Sequence, residues 1–318
     1  MNFNFSILNR LIIYLTKITI CVAILNIIFK FNNISIDNLN NFYSINSNLF
    51  YIIIFFQVYY LLSVYRWYII LQNLGCNVRF LECLRIDSSS IVFNFLLPTG
   101  ELSGELYKGY VLHKKKNIPK YKAFISLILD RGFGLIVLLL LSAPSLFYLF
   151  FLKYNNPYII LLSIIFVILI YFIVKKIKII ILFLKNKFKL DLSHIKIIFV
   201  FGSLKKFFFF TIISFFSLFF LFLMILFTTD VSIISSKLLF NALLIFPIGL
   251  IINALPLTPG SIGVGSLGYL FLSNFFFGTN ETLLTSGLLI YQLIFLLFGA
   301  LAFTINFLIN NRFFFLKK

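Results

Sequence analysis

From Thr282 to Ile309 the chain reads TLLTSGLLIYQLIFLLFGALAFTINFLI, without one charged side chain. A helix of roughly 20 apolar residues spans the hydrocarbon core of a bilayer, whereas a soluble domain has no interior large enough to hide several such runs. This chain has several, with spans expected at 11–29, 48–71, 123–152, 157–174, 207–227, 237–255, 262–278 and 282–309. Hydrophobic residues make up 61% of the 318 positions. The fold class is therefore an all-α polytopic membrane protein with about eight transmembrane helices. Membrane-spanning strands would show short alternating segments instead. The apolar stretch 86–97 is too short to cross, so it reads as a re-entrant segment near 86–100.

Charge sets the orientation. The chain carries 27 Lys and Arg against 9 Asp and Glu, a net charge of +18. The basic side chains gather at 72–122 and 175–206, while 30–47, 153–156 and 228–236 are nearly free of them. That asymmetry is how a membrane protein fixes its topology and meets anionic lipid, so membrane lipids and no nucleic acid are the expected partners. Both basic loops fall on the cytoplasmic side. An even number of crossings then puts the N- and C-termini there too, in agreement with Arg10, Arg312, Lys317 and Lys318. The apolar N-terminal run lacks a small-residue cleavage site and reads as a retained first helix. No soluble domain is left over, and residues 1–318 read as a single transmembrane domain. Cys21, Cys76 and Cys83 form no paired motif, and His113 and His194 lie far apart. Neither a disulfide framework nor a metal or other cofactor is expected.

Of the nine acidic residues, five fall between 82 and 130: Glu82, Asp87, Glu101, Glu105 and Asp130. Acidic groups in a membrane domain mark polar interiors and pathways. Glu82 and Asp87 read as solvated loop residues. Glu101 and Glu105 follow NFLLPTG directly, and a helix over 101–112 puts them on one face with Lys108 three residues beyond Glu105. Asp130 and Arg131 sit in ISLILDRGFGLIVLLLL. Neighbours in a helix point apart, so each of the two needs its own partner. Glu101 or Glu105 is the candidate for Arg131, and Lys108 or Arg85 for Asp130.

Two stretches break the apolar pattern in the same way, NFLLPTGELSGE (94–105) and NALPLTPGSIGVGSLG (253–268). Each has Asn, a few apolar residues, then Pro, Thr and Gly. Proline and glycine interrupt helices, and broken backbone survives at membrane depth only where protein or water satisfies it. A pair of such breaks is the mark of transporter repeats with the site between them, which suggests two related halves. The candidate binding residues are Glu101, Glu105, Lys108, Asp130 and Arg131, with the backbone of 256–265 around Pro259, Gly260 and Gly263. GVGSLG (263–268) fits a dinucleotide glycine pattern, but not within the strand-and-helix unit that pattern needs.

At these residues the chain resembles the flippase-like membrane family of the lysylphosphatidylglycerol synthase transmembrane region. The resemblance is carried by YRWYIILQNLG (65–75), by NFLLPTGELSGELYKGYVL (94–112) with Gly104, Glu105 and Lys108, by DRGFGL (130–135) and by PLTPGSIGVGS (256–266). It implies a multi-pass protein of the bacterial inner (plasma) membrane, not itself an enzyme, that moves a polar-headgroup lipid between leaflets. Aminoacyl-, glyco- and prenyl-phosphate lipids are the implied substrates. In the multiple peptide resistance factors such a domain is joined to a cytosolic aminoacyltransferase. This chain ends at 318 without one, so lysyl transfer by this polypeptide is not expected, and a separate lipid-modifying enzyme is an implied partner. Two alternatives stay open: a partner subunit of a separate lipid synthase, and a membrane-embedded enzyme acting on lipid-linked sugar or phosphate. The chain departs from the family pattern in two places. Lys108 stands where Arg is usual, turning a bidentate phosphate grip into a point charge. Ser266 stands where Glu is frequent, which removes the support for a second acidic site.

Overall fold

A computed structural model describes residues 42–96, 102–154, 204–228, 235–255, 258–278 and 282–309. All of the regular structure among them is helical. The eight helices are α1 (Phe42–Asn73), α2 (Phe80–Leu96), α3 (Leu102–Lys116), α4 (Lys120–Tyr154), α5 (Leu204–Leu226), α6 (Ser236–Asn253), α7 (Val264–Phe277) and α8 (Thr282–Ile309). A short 3-10 turn, Pro259–Ser261, lies between α6 and α7. Among the described residues, five helices are long and apolar enough to cross a bilayer: α1, α4, α5, α6 and α8. The expected spans at 11–29 and 157–174 lie outside the described residues.

The expected span at 262–278 is a shorter helix. α7 has 14 residues, closed at both ends by glycines in the left-handed conformation, Gly263 (φ 79°) and Gly278 (φ 65°). At about 1.5 Å per residue it reaches only some two-thirds of the way across a bilayer. The expected short segment at 86–97 belongs to α2, which begins at Phe80 and ends at Leu96. Helix resumes at Leu102, so the first Pro/Gly stretch separates α2 from α3, as the second separates α6 from α7.

α1 packs along α5, and α8 lies against α2, α5 and α7. α4 runs against α5 and α6, and α3 bridges α2 and α4. Where α6 meets α7 the contact is close: a Cβ at Gly249 would stand 1.7 Å from the Tyr269 ring, so only glycine fits there. The Tyr269 hydroxyl donates to the carbonyl of Phe246, the residue before Pro247, at 3.1 Å.

Two apolar cores form. One gathers Phe56, Leu221, Met224, Ile245 and Leu288. The other gathers Val64, Trp67, Leu71, Ile91 and Leu112. Phe295, Phe298 and Tyr59 pack against both. The polar site lies where the two cores meet.

Candidate functional site

Six charged side chains from four helices converge between the two cores. α2 supplies Asp87 and the first turns of α3 supply Glu105 and Lys108, while α1 supplies Arg66 and α4 supplies Asp130 and Arg131. They form two sets. In the first, the Lys108 ammonium lies 2.5 Å from Asp87 and 3.2 Å from Glu105. Arg131 closes on the same Glu105 oxygen, Oε1, through Nε at 3.0 Å and Nη2 at 2.8 Å. The second set is the Arg66–Asp130 pair at 2.7 Å, with Arg66 Nη1 donating to Ser214 Oγ at 2.8 Å.

Helix geometry explains the division. Glu105 and Lys108 are three residues apart and therefore share a face of α3. Asp130 and Arg131 are adjacent, so one turns toward α1 while the other reaches α3. Both side chains of the Arg66–Asp130 pair are 8% exposed, whereas the Arg131 side chain is 43% exposed. Arg131 is thus the accessible cation of the site. Lys108 also stands 5.1 Å from the centre of the Trp67 ring, a second source of stabilisation for its charge.

Burial by itself would raise the Glu105 carboxyl pKa, but Lys108 and then Arg131 outweigh it and hold the group down to about 2. For Lys108, burial works against the charge, while Asp87 and Glu105 more than offset it and raise its pKa above the ordinary lysine value. Both groups are therefore ionised at neutral pH.

These charges line a cavity of about 420 Å³. Its remaining wall is mixed, with Ser63, Ser90, Asn94, Ser217 and Asn253 facing apolar Leu138, Leu221, Leu250 and Phe295. Four of the wall residues are exposed at the outer surface of the fold: Leu102 on α3, Arg131 and Leu135 on α4, and Ala254 just past α6. Among the described residues, the rim is therefore three apolar side chains and one guanidinium.

The two broken segments meet behind this cavity. Asn94, near the end of α2, accepts from the Gly104 N–H of α3 at 2.8 Å. It thereby satisfies one of the helix-start donors that the break leaves open. Asn253, the last residue of α6, accepts from Gln292 Nε2 at 3.0 Å. Gln292, on α8, also donates to the Ser261 carbonyl at 2.9 Å and accepts from the Gly263 N–H at 3.2 Å. One buried amide thus holds the second break together. Gly260 (φ 60°) sits so close to Phe95 that a Cβ would come within 2.3 Å of the ring.

Of the residues singled out in the sequence, Glu105, Lys108, Asp130 and Arg131 come together in the cavity wall. Glu101 lies outside the described residues. Pro259 falls in the 3-10 turn. Gly260 lies behind Phe95 at a crevice of about 10 Å³, and the Gly263 amide is taken by Gln292, so neither contributes to the main cavity wall. Arg131 takes Glu105, one of its two expected partners. Asp130 takes Arg66 rather than Lys108 or Arg85, because Lys108 is already held between Asp87 and Glu105. Asp87 is not a solvated loop residue: its side chain is 14% exposed and turned into the site by α2. Glu82 does sit nearer the surface, paired with Lys116, both side chains 30% exposed.

Arg66 is the residue that sequence reasoning missed. It is the one charged side chain in the span 48–71, and a charge inside a membrane helix needs a partner.

The described family "Lysylphosphatidylglycerol synthase TM region" matches residues 15–302, and the chain belongs to that family. Over 90 residues it is 31% identical to the UPF0104 membrane protein MJ1595 of Methanocaldococcus jannaschii. That alignment spans 27% of this chain and 27% of the relative. No solved structure matches the chain.

Proposed function

We propose that this multi-pass member of the lysylphosphatidylglycerol synthase transmembrane family moves a polar-headgroup lipid between leaflets, with the headgroup in the charged cavity and the tails in the bilayer. The observation that carries the reading is the combination of a charged interior with an apolar rim. A cavity of about 420 Å³ is large enough for a headgroup. A soluble polar substrate has no use for exposed Leu102 and Leu135 at the mouth, whereas acyl chains do. Glu105, Lys108, Asp130 and Arg131 contact or frame the headgroup, and Arg66 and Asp87 complete the charge set. The second broken segment, with Pro259, Gly260 and Gly263, serves as a packed support rather than a contact surface.

The protein resides in the bacterial inner membrane with both termini in the cytoplasm, on the strength of the basic stretches at 72–122 and 175–206. Residues 1–318 act as one transmembrane unit, without catalysis of their own. Because the family takes its name from a lipid synthase, the second reading is a membrane partner that receives lipid from a separate lipid-modifying enzyme.

The test is reconstitution. Purified protein goes into liposomes carrying headgroup-labelled lipid in one leaflet, and transbilayer movement is timed. Movement well above protein-free vesicles, reduced at least about tenfold by Arg131→Ala and by Lys108→Ala, supports the site. Equal movement by wild type and both variants removes the cavity from the mechanism. No movement from folded protein shifts the weight to the partner reading.

A further inference from the structure

We propose that the cavity selects a zwitterionic phospholipid headgroup, one cationic and one anionic group on the same lipid, over an anionic one. This inference rests on the lipid-moving reading above and names its substrate class.

The chain as a whole carries a net charge of +18. The cavity does not share that excess. Among the described residues, its charged wall side chains are Asp87, Glu105 and Asp130 against Arg66, Lys108 and Arg131, so acids and bases balance there. A site meant to gather anionic headgroups would carry surplus cations, and this chain has them in abundance elsewhere.

The pairing shows how a zwitterion would enter. Arg66–Asp130 is the buried, fixed pair. The exchangeable pair is Arg131–Glu105, because Arg131 is the exposed member of the wall. A lipid phosphate arriving at the rim meets the Arg131 guanidinium, and its ammonium meets the Glu105 carboxylate that Arg131 releases. Glu105 Oε1 already bridges Arg131 at 2.8 Å and Lys108 at 3.2 Å, so positions for an anion and for a cation lie one hydrogen bond apart. After the exchange every charge still has a partner. An anionic headgroup that takes Arg131 leaves Lys108 to answer both Glu105 and Asp87, so the set holds one negative charge in excess, and an uncompensated charge away from water is costly. A purely cationic headgroup that takes Glu105 leaves the set one positive charge in excess, at the same kind of cost.

The experiment is a competition in proteoliposomes made with labelled phosphatidylethanolamine or labelled phosphatidylglycerol, read as the ratio of their transbilayer rates. The expected ratio for wild type favours phosphatidylethanolamine by roughly tenfold. Glu105→Gln and, separately, Asp87→Asn each leave the cavity with one surplus positive charge and should shift the ratio toward phosphatidylglycerol. A purely structural role for these carboxylates slows both lipids alike and leaves the ratio unchanged. If Glu105→Gln fails to fold, as judged by gel filtration in detergent, Asp87→Asn carries the comparison. Equal rates, or faster movement of phosphatidylglycerol by wild type, overturn the zwitterion proposal while leaving lipid movement standing. No movement of either lipid overturns the lipid-moving reading and this proposal with it.

Discussion

Arg66 Nε donates to Asp130 Oδ1 at 2.7 Å and joins α1 to α4 across 64 residues of sequence. Its other arm reaches Ser214 on α5, so one guanidinium ties three helices together. Removing one member of a buried pair strands the other charge, which costs about 3–5 kcal/mol. Arg66→Ala should therefore lower the thermal unfolding midpoint in detergent more than Arg131→Ala, whose side chain is 43% exposed. Replacing both members, Arg66→Met with Asp130→Leu, should recover most of the loss. A double variant no more stable than Arg66→Ala would show that the pair is not the link between these helices.

Gln292 is the counterpart of that pair at the second break. Its three hydrogen bonds reach Asn253, Ser261 and Gly263, and its side chain is buried. Gln292→Ala leaves two acceptors and one N–H unmet, at about 1 kcal/mol each. The expected loss is about 2–3 kcal/mol, read from thermal unfolding, with amide exchange accelerated in the first turn of α7. Unchanged exchange at Gly263 and Val264 would mean that the turn holds its shape without the amide.

The sequence makes these two sites unequally legible. Helix positions follow from long apolar runs, which is why the bounds of α8 match expectation and those of α1, α4, α5 and α6 differ by a few residues at their ends. The Glu105–Lys108 and Glu105–Arg131 contacts follow from helical spacing and from the need of a membrane charge for a partner. The same need applied to Arg66 would have found the fourth charged helix. Asp87 was hidden by its neighbourhood: Glu82 and Arg85 nearby are surface groups, and nothing local distinguishes a carboxylate on the inward face of α2. The Gln292 amide carries no charge and lies in an apolar run, so its role depends on where α8 passes the second break, a tertiary fact that no local pattern encodes.

Gly260 tests how tightly the two broken segments are fitted. Its φ of 60° disfavours any residue with a side chain, and a Cβ would come within 2.3 Å of the Phe95 ring. Gly260→Ala should destabilise by about 1–3 kcal/mol from overpacking, plus about 1 kcal/mol from the backbone. Adding Phe95→Ala should relieve the overpacking and leave the backbone cost. If the second substitution restores nothing, the contact between the breaks is not what excludes a side chain at this position.

The pH dependence of stability isolates Glu105. Its pKa in the folded protein is lowered from 4.5 to about 2 by Lys108 and Arg131 against the opposing effect of burial. A depressed carboxyl pKa means that the unfolded chain binds protons more readily than the folded one, so the stabilisation is fully present above the unfolded value. It is lost as pH falls from about 4.5 through about 2, where the folded carboxyl also protonates. The difference in unfolding midpoint between wild type and Glu105→Gln should therefore be constant from roughly pH 8 to pH 5 and narrow steadily below that. Lys108 keeps its charge throughout, since its own pKa is raised, so it contributes no second transition in the acid range. A difference that stays constant down to the acid limit would mean that the Gln variant loses packing rather than the ion pairs to Lys108 and Arg131.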